Sequence, residues 1–407
     1  MKYLCLIVML SLACQGGGQI LGTIDGAVVV SPSGNLPPAL PHRLLIGLNA
    51  DTGETWPKES GVPWDLRATY LAKGWVNNFG FGAADGSVAT TYLTESAGQA
   101  IIPALTFGQL DGEAGGTLLA KTQNATTMAS YFSDFKLLMK LAKDFGKPVL
   151  VFVENDSFGV LEIAANHDPN QPAAVASSGL AELAGLPNTL AGWGQAFPRL
   201  RKAVGATNVT LSIDVSAYTS GYDLLFANTD VAIEPEVDKA MAYLGPSGIV
   251  ANTSGESFDV LAHRMQEFDC DYSRIVNGEN RCFDPTETAS MYSLSYNRLV
   301  EWLRLWNQKA GKRWVLWNLS LGNRNHKNVA NTGGPSEGYQ DNKVEYFFGD
   351  AGPAHRARFV AAGVVGLLFG PLGETQASYK NDVFTDGQLL FKTRAGAFLQ
   401  AGGLALK

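Results

Sequence analysis

Val149-Leu150-Val151-Phe152-Val153-Glu154-Asn155-Asp156 decides how this chain is read. Five apolar residues run without a polar break, three of them β-branched, and three polar residues then end the run. A strand with one wet face alternates apolar and polar positions. An unbroken run of this kind suits a strand buried on both faces, as in a parallel sheet covered by helices.

Outward from this run the same grammar repeats. Residues 43–48, 75–81, 100–105, 148–153, 208–213, 258–262, 313–316 and 364–369 read as eight strand candidates. Between them lie segments of helical period. Residues 130–145 place Phe132, Phe135, Leu138, Ala142 and Phe145 on one face, with Gly146 as a stop. Residues 192–204 form another. Asp284-Pro285-Thr286-Glu287 reads as the cap and first turn of a helix that continues through Tyr292, Leu299, Trp302 and Trp306. Eight alternating units predict a (β/α)8 barrel, one domain over residues 42–407 with long loops after the strands.

The N-terminus reads differently. Residues 1–14 have one lysine, a short apolar run and a small residue before Cys14, which suits an export signal with lipidation at Cys14. Residues 15–41, rich in glycine and then proline, read as a tether. The expected location is therefore the cell surface, the periplasm or the exterior, with any membrane contact made through that lipid. Of the four cysteines, Cys270 and Cys282 remain. Their spacing exceeds that of a zinc pair, so a disulfide is expected.

Charge narrows the partners. Against 31 basic residues stand 38 acidic ones, a formal net charge of −7, with no basic cluster to neutralise phosphates. Nucleic acid is not an expected partner. His42, His167, His263, His326 and His355 are scattered without ligand spacing, and no phosphate-binding or dinucleotide fingerprint occurs. No metal or cofactor is expected, and the chain reads as a monomer.

A barrel of this class carries its site at the C-terminal ends of its strands. Those ends supply Asp51, Asn77, Thr106, Glu154, Asp156, Asp214, His263, Asn318 and Asn323. Paired carboxyl groups suit glycosidic-bond cleavage, one giving a proton to the leaving oxygen and the other activating water or attacking carbon. Glu154 is the expected donor, tuned by Asp156. Asp214, or Asp269 or Asp271 beside the expected disulfide, is the expected base. Trp317, Asn318, Tyr339, Gln340, Asp341 and Asn342 add aromatic faces and amides suited to sugar. Asp65 and Arg67 read as an ion pair holding the first long loop.

Several blocks carry a family resemblance. They are Trp64-Asp65-Leu66-Arg67-Ala68-Thr69-Tyr70-Leu71, residues 148–159, Ala176-Ser177-Ser178-Gly179, Ala184-Gly185-Leu186-Pro187-Asn188, residues 315–323, and Tyr339-Gln340-Asp341-Asn342-Lys343-Val344-Glu345. In this order they resemble secreted bacterial barrel proteins that often carry cellulose-binding modules. More distantly, they resemble glycoside hydrolases of the cellobiohydrolase type. The resemblance implies that Glu154, Asp156, Gln340, Asp341 and Asn342 belong to the site. Asn155 stands where that group has proline, and no glutamate ends the seventh strand. The expectation is a hydrolase of β-linked polysaccharide or oligosaccharide, cellulose-like or another glucan, working with inversion. The alternative is a non-catalytic glycan-binding lipoprotein on the same scaffold.

Overall fold

The computed structural model describes residues 20–24, 27–80, 84–219, 221–265, 270–287, 292–322, 341–370 and 390–407. Eight parallel strands close on themselves. We number them β1 (Leu45–Asn49), β2 (Leu66–Ala72), β3 (Ile102–Gly108), β4 (Val149–Val153), β5 (Val209–Asp214), β6 (Val260–Arg264), β7 (Arg313–Leu319) and β8 (Val364–Phe369). Each pairs with its neighbours in sequence, and β8 returns to β1. The expected (β/α)8 barrel is the observed one.

Seven of the eight strand candidates lie on barrel strands, and one does not. Residues 75–81 do not form the second strand; Leu66–Ala72 does. Gly74, Asn78, Phe79 and Gly80 have positive φ, which bends the chain into turns, and Trp75 packs in the core from there. The real β2 was masked by Arg67. A charged residue broke the apolar run, yet its side chain is fully buried. Its guanidinium donates to the carbonyls of Ala50 and Asp51 and lies 4.5 Å from the Tyr92 ring centre. The predicted Asp65–Arg67 pair is not formed. Asp65 instead accepts from Arg43 at 2.6 Å and from the Ile46 amide, while Arg67 faces Glu95. The two residues share one side of the chain, two positions apart, and each is drawn to a partner on a different segment.

Strand alternation sorts the core into two. Leu45, Leu66, Ala68, Ala104, Leu150, Phe152, Val260, Ala262, Val315, Trp317 and Leu368 fill the barrel. The outward set, including Ile46, Phe107, Val151, Leu211 and Leu316, packs against the helices. The largest of these are α1 (Ser87–Gly98), α2 (Ala125–Phe145), α3 (Ser157–Ala164), α4 (Leu190–Val204), α5 (Ile233–Leu244), α6 (Tyr296–Ala310) and α7 (Gly352–Ala361). The expected stripe on α2 is buried, apart from a partly exposed Phe145, and Gly146 ends the helix at φ 72°. The helix expected from Asp284 begins later. Asp284 caps a local turn by accepting from Thr286, and Ser295 caps α6 by accepting from the Arg298 amide.

The stretch expected as a tether is partly docked. Ile20–Ile24 pairs antiparallel with Ala27–Val30. Ser33 exchanges two hydrogen bonds with Asn307, Arg313 donates to the Gly34 carbonyl, and Leu40 joins the barrel filling. Cys14 lies outside the described residues. Among the described residues no helix is long and apolar enough to cross a membrane.

Candidate active site

Alternation from Leu45, Ala68, Ala104, Ala262 and Val315 brings Asn49, Tyr70, Thr106, Arg264 and Trp317 to the C-terminal mouth. On β5 the outward residues are Val209, Leu211 and Ile213, so Asp214 points inward too.

These groups form one cluster. Trp317 stacks on Phe152 at 5.1 Å between ring centres and lies 6.0 Å from Tyr70. Its indole N–H donates to Asp214 Oδ2 at 3.1 Å. Arg264 donates to Asp156 Oδ1 at 2.7 Å. Asp214 is 7% exposed, whereas the Asp156 side chain is half exposed. Burial pushes the Asp214 carboxyl well above the usual carboxylate range, and the nearby charge of Asp156 adds to that. The Trp317 hydrogen bond and the Arg264 charge pull it back in part. Two carboxyl groups after consecutive strands thus differ sharply in their surroundings. One is held toward its acid form, and the other is paired with a cation.

Glu154 is not in this cluster. Its backbone takes φ 50°, a left-handed value that breaks the alternation from Leu150 and Phe152. The side chain turns outward and is 2% exposed. Its carboxylate accepts from the amides of Gln109 and Leu110, from Tyr131 Oη at 2.8 Å and from Ser157 Oγ at 2.7 Å. Burial raises its pKa and these hydrogen bonds oppose the rise. The buried carboxyl that faces the mouth is that of Asp214, not of Glu154.

The remaining candidates divide. Asp51 is exposed at the mouth rim and accepts from Thr69 Oγ1 at 2.7 Å. Asn77 is exposed in the turn after β2. Asn318 is fully buried with φ 55°. Asp271 accepts from Arg274 at 3.0 Å. Asp341 is spent internally: both oxygens meet the fully buried Lys343 ammonium, and one also takes the Cys270 amide. Asn342 donates to the Phe283 carbonyl at 2.6 Å. Asp341 and Asn342 therefore fasten the loop after β7 to the cystine loop. Asp269, Asn323, Tyr339 and Gln340 lie outside the described residues. Cys270 and Cys282 form the expected disulfide, with Cα atoms 4.8 Å apart. Among the described residues these two sulfurs and Asp271 make the single three-ligand cluster, and the sulfurs are bonded to each other.

Sequence reasoning missed Arg264 and Tyr70. Arg264 follows Ala262 by two positions and was legible from alternation. Tyr70 was hidden by the misplaced second strand.

No family model and no curated protein sequence matches the chain. Among solved structures it is similar to a modular endo-β-1,4-mannanase of glycoside hydrolase family 26 from Cellulomonas fimi (12% identity, TM-score 0.45, 90% of this chain and 75% of that one). It is also similar to a family 1 β-glucosidase from Thermotoga maritima (10% identity, TM-score 0.47, 90% and 99%). A third similar structure is a family 26 β-mannanase from Bacteroides ovatus (12%, TM-score 0.45, 87% and 89%). At such identities the likeness is one of fold alone.

Proposed function

We propose that the chain is a glycoside hydrolase acting on a β-linked polysaccharide. Asp214 gives the proton to the leaving oxygen, and Asp156, paired with Arg264, serves as the second carboxylate. The observation that carries this reading is the contrast between the two carboxyl groups. A buried acid beside an indole is suited to donating at neutral pH, and an exposed, cation-paired carboxylate to accepting from water. Tyr70 supports it with a partly exposed aromatic ring at the same mouth, backed by the buried rings of Trp317 and Phe152. Inversion, expected from the sequence, belongs to the proposal. In that course water attacks the anomeric carbon from the face opposite the donor while Asp156 takes its proton.

The test is reducing-end release from a panel of β-linked polysaccharides by the wild type, Asp214→Asn and Glu154→Gln. Asp214→Asn is expected to lose about 100-fold to 10,000-fold in kcat, the usual contribution of a positioned acid. Glu154→Gln is expected to keep activity per folded molecule within about tenfold, since its carboxyl binds loop and helix rather than substrate. Equal activity of Asp214→Asn and wild type would sink the assignment. Product anomer, read by NMR as it forms, tests inversion. Tight oligosaccharide binding with no new reducing ends would instead favour the glycan-binding alternative.

A further inference from the structure

Beside the mouth lies a cavity of about 300 Å³. Its walls are residues 216–218, 223 and 225 after β5, the end of β6, and residues 279 and 281 of the loop closed by the disulfide. Arg264 belongs both to this lining and to the Asp156 pair, so the cavity adjoins the mouth cluster.

At its wall stands His263, which is 6% exposed and packs 4.7 Å from the Trp302 ring centre. Nδ1 lies 2.9 Å from the Val215 carbonyl oxygen. A carbonyl only accepts, so Nδ1 carries the hydrogen and the ring of the neutral imidazole presents a bare lone pair at Nε2. That atom is buried and has no hydrogen-bond partner. An unmet buried acceptor is uncommon, and a hydroxyl donor from a ligand would satisfy it.

The other walls say which donor. Asp223 and Arg281 pair at 2.6 Å and Arg264 pairs with Asp156, so the charges on the buried side are matched, while Glu279 brings an exposed carboxylate to the rim. Neither an anion nor a cation finds a spare countercharge on the buried side. Tyr218 stands at the edge, 53% exposed, where its ring is free to lie against the apolar face of a sugar ring. The volume is at the small end for ligand pockets and suits one ring with its hydroxyls.

We infer that this cavity is a saccharide subsite, in which a ring hydroxyl of a neutral sugar donates to His263 Nε2 while Tyr218 covers the ring. The inference rests on the reading of the mouth as a carbohydrate site and extends the bound chain toward β6.

Imidazole nitrogen NMR of the full chain carrying Asp214→Asn tests it, with β-linked gluco-oligosaccharides from disaccharide to hexasaccharide as probes. On saturation the His263 Nε2 resonance is expected to move toward the hydrogen-bonded position while Nδ1 stays. His263→Asn, which keeps a donor for the Val215 carbonyl, is expected to weaken oligosaccharide binding by about tenfold. A probe that binds while Nε2 stays put and His263→Asn binds as well as its parent overturns the subsite but leaves the hydrolase reading standing. Nε2 movement together with absent turnover by the wild type overturns the hydrolase reading and leaves the subsite standing. Failure of every probe to bind overturns both.

Discussion

His263 makes the stability of this barrel depend on pH in a calculable way. Burial and the nearby Arg264 charge lower its pKa from 6.5 to about 4, against the opposing pull of the Val215 hydrogen bond and the Asp223 charge. The folded state therefore refuses a proton that the unfolded chain accepts at 6.5. As pH falls, the unfolded state gains the proton first and folding stability declines. The contribution is fully present above pH 6.5 and is lost as pH falls toward 4. A shift of roughly 2.5 units corresponds to about 3 kcal/mol. His263→Asn removes the titration while keeping a donor for Val215. In urea unfolding with the disulfide intact, the stability gap between wild type and variant is expected to shrink by about 3 kcal/mol between roughly pH 8 and pH 4. Carboxylates elsewhere titrate in both proteins and cancel from that gap. A gap that stays constant within about 0.5 kcal/mol across the range would refute the reasoning.

Asp214 has the opposite sign. Its folded pKa lies above its unfolded value, so the buried carboxylate costs stability at pH above that folded value, and Asp214→Asn is expected to raise Tm more in alkaline than in acid buffer. Trp317→Phe removes a hydrogen bond that lowers the Asp214 pKa, so the alkaline limb of the kcat/KM profile is expected to move to higher pH, measured on any substrate the wild type cleaves. Replacing Cys270 and Cys282 together by serine is expected to cost about 3 kcal/mol by loop-closure entropy, read as a lower urea midpoint. It is also expected to weaken oligosaccharide binding more than that of monosaccharides, because residues 279 and 281 wall the side cavity.

The barrel was legible because its strands are buried on both faces. Unbroken apolar runs at 149–153 and 364–369 have no other good use in a chain that alternates with helical segments. Where a strand carries a charge, the rule fails. Arg67 sits near the start of β2 with its long stem inside the fold, and its charge is answered by two carbonyls, a carboxylate and an aromatic face contributed by other segments. None of those partners is adjacent in sequence. The apolar-looking residues 75–81 won by default, although Gly74, Asn77, Asn78 and Gly80 supply turn chemistry that a strand does not need.

The site was legible in its location and misread in one orientation. Asp156, Asp214 and Trp317 follow from strand ends and alternation alone. Glu154 occupies the same kind of position, and period-two reasoning sends it to the mouth. The single left-handed φ reverses it, and a local pattern contains no term for that. What holds the reversed conformation is distant: the amides of Gln109 and Leu110 after β3, and Tyr131 on α2. Gly108 belongs to the same arrangement, because a side chain there would meet Asn155 at 2.7 Å. With Ser157 as its fourth donor, the Glu154 carboxylate ties the end of β3, the face of α2 and the start of α3 around the peptide that carries Asp156. Under the proposed assignment, the residue that sequence reasoning valued most is thus a positioning residue. Its removal should disturb where Asp156 stands relative to Arg264 without removing the proton donor, so Glu154→Gln should lower kcat yet leave the alkaline limb of the pH profile at the wild-type position. A limb displaced by that substitution would return the donor role to Glu154 and leave Asp214 as a buried acid without chemistry.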